Sequence, residues 1–243
     1  MTGTIVNTAA ITAGGVLGCI IQRGLPKRLE RALTQMQGLA ILIIGFNGVI
    51  TSMLSADPAT GRLTDQGGLL LLVSLVLGVL AGELLRIEDR LNSLGLLVER
   101  KLGAKGFAKG FVSASLVFCI GAMAIIGAIN DGLRQDSSVL FLKSAIDFVC
   151  ALVMASALGF GVVFSAVSVL FYQGAVTLLS GLLSPLISQV LLDSICMVGY
   201  SIVACIGMNF LFRAKIKTAN LLPALLVPIL WEVLQRVAAC WFN

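Results

Sequence analysis

The sequence predicts an all-α polytopic membrane protein of about eight transmembrane helices, and three observations carry that prediction. First, apart from Asp147, the stretch from Ser144 to Ile187 has no charged side chain. One crossing needs about 20 mostly apolar residues at ~1.5 Å rise each, so this stretch holds enough helix for two. Second, the 243 residues are 58% hydrophobic and 12% charged, with a mean hydropathy of +1.02. Soluble domains carry about 25% charged residues, so the shortfall marks the whole chain rather than one anchor. Third, the basic residues alternate from loop to loop with the register that eight crossings require.

The spans are expected at residues 4–22, 36–54, 67–85, 111–130, 144–165, 167–187, 189–212 and 219–235, forming one membrane domain over 1–243. No basic residue precedes Arg23, so the first apolar stretch lacks the charged start of a signal peptide and is read as a retained span. Pro223 and Pro228 interrupt the last span, which is therefore either kinked or re-entrant. Proline is tolerated in a membrane where neighbouring groups satisfy the freed carbonyls. The outer connection Ser55–Gln66, with Pro58 and Gly61, reads as a turn-rich linker.

Thirteen of the 17 basic residues fall in the connections after spans one, three and seven. Alternation puts those three connections on one face, and the positive-inside rule makes it cytoplasmic. Both termini are then outside. The basic balance is thus an orientation signal, and nucleic acid is not expected as a partner. Residues 86–110 form the longest polar interval, too short for a domain of its own. Within it Ile87, Leu91, Leu94 and Val98 recur at helical spacing among charges. That spacing predicts a short amphipathic helix on the cytoplasmic surface, within reach of anionic headgroups.

Two short motifs suggest an inverted internal repeat. Span two holds IIGFN (Ile43–Asn47) and span seven CIGMN (Cys205–Asn209). Each is followed in the next span by an acidic residue, Glu83 and Glu232. Opposed repeats with a site at their interface recur in secondary transporters.

Enzyme vocabulary is missing from the sequence. There is no histidine, and no GxSxG elbow, HExxH or P-loop, so neither an enzyme nor an ATP-driven pump is expected. The six cysteines contain no CxxC pair and five lie in predicted spans, where cysteine packs as a small apolar residue. No cofactor and no metal site are expected. The 26 glycines fall largely in helices, as in Gly14, Gly15 and Gly18. They are read as small-residue faces for close helix packing, with unwinding at Gly159–Phe160–Gly161 as the alternative.

The polar residues inside spans are the functional candidates: Asp147, Gln173, Asn47, Asn209, Asn7, Asp193, Asp131 and Glu83. Ionisable residues within spans normally face a cavity or a partner. Asp147 lies four residues after Lys143, so an interfacial i,i+4 ion pair and a cation or proton site are both open. Gln173 sits near the middle of its span, where coordination of a solute and structural hydrogen bonding are equally open. Asp131, Asp147, Asp193 and Glu232 gather toward the outer face, which suggests an acidic vestibule attracting cations.

Several stretches, GTIVNTAAITAGGVLG (Gly3–Gly18), AGELLRIEDRL (Ala81–Leu91), SLVFCIGAMAIIGAINDGL (Ser115–Leu133) and the run from Lys143 to Gly174, resemble the YqgA/YdfK-type proteins. These are bacterial multi-pass inner-membrane proteins carrying a domain of unknown function. The resemblance runs from residue 3 to about Pro228. It implies a transporter-like protein of the bacterial cytoplasmic membrane and supplies no binding residues. Asn7, Glu83, Asp131, Asp147 and Gln173 fall in the matching stretches. Two function classes stay open: a secondary transporter or channel for a cation or small solute, and a non-transporting scaffold or regulatory subunit. Besides the bilayer, the small-residue faces would suit a homo-oligomer.

Overall fold

The computed structural model describes residues 1–22, 26–56, 63–65, 67–91, 93, 106–120, 122–183, 185, 187–212 and 214–242. A helix satisfies its own backbone, which is what an apolar segment in hydrocarbon requires. The helices are α1 (Thr2–Gln22), α2 (Lys27–Met53), α3 (Gly68–Leu85), α4 (Phe107–Cys119), α5 (Ala122–Leu133), α6 (Ser138–Leu158), α7 (Gly161–Leu178), the short α8 (Ser180–Leu183), α9 (Gln189–Phe212) and α10 (Leu226–Phe242). A 3-10 segment, Thr218–Leu225, leads directly into α10. Among the described residues seven helices are long and apolar enough to cross a membrane, or eight with α4 and α5 counted as one broken span. Large apolar side chains such as Ile43, Leu69, Phe171 and Val190 stand more than half exposed on the outside of the bundle. That outward greasy surface is suited to lipid.

The expected linker 55–66 is in part a hairpin. Strand β1 (Leu54–Ala56) pairs antiparallel with β2 (Leu63–Asp65), Leu54 opposite Asp65. Its turn residues Pro58 and Gly61 lie outside the described residues. Residues 87–91 are helical, where the amphipathic segment is expected to begin. Most of the rest of that segment, Leu94 and Val98 included, is outside the described residues.

Several span boundaries differ from expectation, among them the start of α2, at Lys27 rather than residue 36. Gly159 closes α6 at φ +77° and ψ −157°, a region glycine occupies freely and L side chains rarely adopt. Two residues later Gly161 packs against the Phe107 carbonyl oxygen, where a Cβ would overlap it. The Gly-Phe-Gly sequence is therefore the turn between two spans, not an unwound point inside one. Spans expected at 144–165 and 167–187 are helices at Ser138–Leu158 and Gly161–Leu178. Span four is broken: Ile120 has extended backbone (φ −87°, ψ 134°), and α4 and α5 meet at 62°. The last span starts as a 3-10 segment enclosing Pro223 and continues as α-helix.

Glycine contacts set the helix pairing. Gly14 and Gly18 of α1 lie on the Phe148 and Leu152 carbonyls of α6, so these two helices run parallel. In α2 and α9, Gly38 meets Leu211 and Gly45 meets Ala204, an antiparallel pair. Gly207 in turn meets Leu42. The glycines of the two repeated motifs thus both lie in the α2–α9 contact. α3 runs antiparallel to the 3-10 segment, Gly78 on Ala224 and Gly82 on Asn220. The core joining α1, α4, α6, α7 and α9 includes Ile11, Phe118, Met154, Val162, Ile202 and Ile206.

These directions bring the ends of α1, α3, α6 and α9 together with the starts of α4, α7 and the 3-10 segment. At that end Gln22 touches Gly159, Lys109 lies over Phe210 and Lys217 pairs with Glu83. At the opposite end Met1 pairs with Asp131 and Ser188 reaches Glu232. The helices therefore alternate as the loop charges require.

Candidate functional site

In α6, Lys143 and Asp147 are one helical turn apart and so share a face. The Lys143 Nζ donates to Asp147 Oδ1 at 3.0 Å and lies 2.8 Å from Oδ2. Their side chains are only 9% and 6% exposed, which makes this a buried pair rather than an interfacial one. Because α6 starts at Ser138, Asp147 lies roughly 14 Å along its axis at ~1.5 Å per residue, near the middle of this 21-residue helix.

The antiparallel α1 and α7 complete the cluster. Asn7 Nδ2 donates to Gln173 Oε1 at 3.2 Å. One turn toward the start of α1, the hydroxyls of Thr4 and Thr177 are 3.3 Å apart. Asn7 also lies beside the Asp147 carboxylate. Thr4, Asn7 and Gln173 are completely buried. The close approach of α1 to α6 through Gly14 and Gly18 is what places Asn7 against α6. Gly15 similarly abuts Val163 of α7.

The amide pair is one bond short of closure. Asn7 Oδ1 and Gln173 Nε2 have no hydrogen-bond partner. Each such buried polar group costs about 1–3 kcal/mol. An acceptor and a donor are thus left over side by side, next to an ammonium–carboxylate pair of zero net charge. That set can take a ligand or proton only through hydrogen bonds or by opening the ion pair.

Nearer the surface, Asp131 at the end of α5 is bound by the Met1 amino group at 3.0 Å. The Ser137 hydroxyl donates to its other oxygen at 2.6 Å. Gly132 abuts the Thr177 carbonyl, so this pair lies over the threonine layer. Asp147, Gln173, Asn7 and Asp131 are the sequence candidates brought together here.

The other four stand elsewhere. Asn47 is exposed on the outward face of α2. Asn209 accepts from Ile216 N at 3.0 Å and donates to Ile216 O at 2.8 Å, so its amide closes the loop after α9. Glu83 is half exposed and pairs with Lys217 at 3.1 Å; its hydrogen bond raises the Lys217 pKa above the ordinary value. Asp193 accepts from Gln189 at 2.9 Å and lines, with Glu232, a cavity of about 230 Å³ that neither Asp131 nor Asp147 reaches. The acidic residues of the outer half therefore do not form one vestibule. Sequence reasoning passed over Thr4 and Thr177 as members of the site. Their signal was spacing: Thr4 is three residues from Asn7 and Thr177 four from Gln173, on the same helical faces.

Closely packed spans, a lipid-exposed greasy surface and a polar core enclosed by three helices define a multi-pass membrane protein. Residues 2–233 match the family described as "Protein of unknown function (DUF554)", and the chain belongs to that family. It is 32% identical over 229 residues to the "Uncharacterized membrane protein YdfK" of Bacillus subtilis (strain 168), covering 94% of each chain. It is 27% identical over 247 residues to the "Uncharacterized protein YqgA" of Escherichia coli (strain K12), covering 99% of this chain and 98% of that one. No solved structure matches it.

Proposed function

We propose that the chain is a secondary transporter or channel for a cation or small solute, working through the polar core of α1, α6 and α7. The observation that carries this reading is the buried Lys143–Asp147 pair beside the unpaired atoms of Asn7 and Gln173. Well-packed apolar residues in place of a buried ion pair are often neutral or stabilising. A fold that needed only packing has little reason to keep charge and orphaned amides within its spans. The break between α4 and α5 supports the reading too, since discontinuous helices flank sites in many transporters. The chain carries out no catalysis in this scheme.

In this reading the face bearing most basic residues is cytoplasmic, the membrane is the bacterial inner membrane, and both termini are outside. A second reading is a scaffold or regulatory subunit. It draws on the closed cluster and on Asn47, a polar group exposed on the outward face of α2 beside Ile43 and Phe46, where a partner helix could bond it.

Reconstitution in liposomes tests the transport reading. Proton, monovalent and divalent cation fluxes and uptake of small metabolites are followed for the wild type and for Asp147→Asn. Flux above protein-free liposomes, abolished by the substitution, is expected. Wild-type protein that moves none of these solutes overturns it in favour of the scaffold.

A further inference from the structure

Three elements bring cations together at the basic-loop end of the bundle, away from the polar core. Arg31 comes from the first turns of α2, Lys109 from the first turn of α4, and Lys215 from the loop after α9. They line one cavity of about 410 Å³ together with Thr34, Gln35 and Asn209. A neighbouring cavity of about 390 Å³ shares Lys109, Asn209 and Lys215 as lining residues.

Among the described residues no ion pair neutralises these three charges: the pairs there are Met1–Asp131, Lys143–Asp147 and Lys217–Glu83, and none of them uses Arg31, Lys109 or Lys215. Among the described residues no carboxylate lines the first cavity. Glu88 lines the second, where its Oε2 accepts from the Ala219 backbone N at 3.0 Å.

The cations are also held in place. The Lys109 Nζ sits over the Phe210 ring at 5.4 Å from its centroid, a geometry that favours an ammonium. The two hydrogen bonds between Asn209 and Ile216 close the loop that carries Lys215. The first turn of α4, a helix of 13 residues without a side-chain N-cap, contributes Ala108 and Lys109 to the second cavity. Its positive dipole end adds to the field felt by an anion.

We propose that this cavity is a phosphate-binding site, taking either the headgroup of an anionic phospholipid or a soluble phosphate. A guanidinium, two ammonium groups and the neutral polar side chains of Thr34 and Gln35 suit a tetrahedral oxyanion. The position at the ends of the spans is the level of lipid phosphates. Asn209 acts here as a positioning residue, by fixing the Lys215 loop.

The test uses the purified full chain in neutral detergent. Binding of radiolabelled inorganic phosphate is measured by equilibrium dialysis, and retention of phosphatidylglycerol against phosphatidylcholine by native mass spectrometry. Lys215→Gln is expected to weaken the phosphate-bearing ligand about tenfold, the scale of one charge-assisted contact. Lys215→Arg restores it, and Arg90→Gln, an exposed cation that does not line the cavity, leaves it within twofold. All these positions are exposed, and an unchanged melting temperature confirms folding. Retention of phosphatidylglycerol without phosphate binding assigns the lipid source; phosphate binding that displaces the lipid assigns the soluble one. Binding of neither probe, equal retention of both lipids, or equal loss in Arg90→Gln and Lys215→Gln overturns the site. None of these outcomes depends on whether the chain transports.

Discussion

Asp147→Asn removes the negative half of the ion pair inside α6 and leaves the Lys143 ammonium buried without its counter-ion. Breaking a buried pair by deleting one partner costs about 3–5 kcal/mol, because the remaining charge keeps its desolvation penalty. For a chain of this size about 1 kcal/mol corresponds to roughly 2–4 °C in Tm, so the variant should melt on the order of 10 °C below the wild type. The charge-free double variant Lys143→Met/Asp147→Leu has no such penalty. It should lie within about 1–2 kcal/mol of the wild type, or be more stable, as apolar replacements of buried pairs often are. The assay is thermal unfolding in detergent of the three proteins side by side, followed by flux measurements on all three below the lowest melting point. A folded, stable double variant with no flux separates a functional role from a structural one. Two results refute the reasoning: an Asp147→Asn protein as stable as the wild type, which would mean the pair is not desolvated, or a double variant that transports at the wild-type rate.

Other outcomes follow from the same geometry. Asn7→Leu and Gln173→Leu should each destabilise by about 0.6–2 kcal/mol, the range for interhelical polar contacts in membranes. Because they share one hydrogen bond, a double-mutant cycle should show coupling of about 0.5 kcal/mol or more; strict additivity in unfolding measurements would separate them. Gly18→Ala would drive a methyl group into the Leu152 carbonyl and should cost about 1–3 kcal/mol by overpacking. Gly181→Ala meets nothing within 4 Å and should be silent, so equal melting temperatures would contradict the α1–α6 contact. In a variant cleared of native cysteines, Arg28→Cys and Arg90→Cys should react with a membrane-impermeant thiol reagent only from the cytoplasm, and Asp136→Cys only from outside. Labelling of Arg28→Cys and Arg90→Cys from different sides would break the eight-crossing alternation.

The spans themselves were largely legible. The first, third and seventh match their helices to within about two residues at either end, because a long apolar run has only one economical conformation in hydrocarbon. The errors came where apolar sequence continued through a turn. Nothing in hydropathy marks Gly159 as an end, since glycine also packs inside membrane helices. That shift of about six residues made Asp147 look interfacial. The break at Ile120 was hidden for the same reason. Among the candidates, Asn7 and Gln173 were chosen for their depth and do meet. Asn47 and Asn209 were chosen equally well by depth, yet one points outward and the other ties down a loop. Sequence depth says how far a side chain sits along a helix, whereas rotation about the helix axis decides what it touches.

The sequence alone determined that this protein crosses a membrane many times and which connections share a face. Both properties are sums over local segments: hydropathy adds up within a span, and loop charge adds up within a connection. Only the tertiary structure decided that Lys143, Asp147, Asn7 and Gln173 form one buried cluster, and that Arg31, Lys109 and Lys215 frame one cavity. These residues are far apart in the chain. They meet because glycines on α1 and α2 let particular helix faces approach to backbone contact, and that register is a property of packed pairs which no single segment encodes.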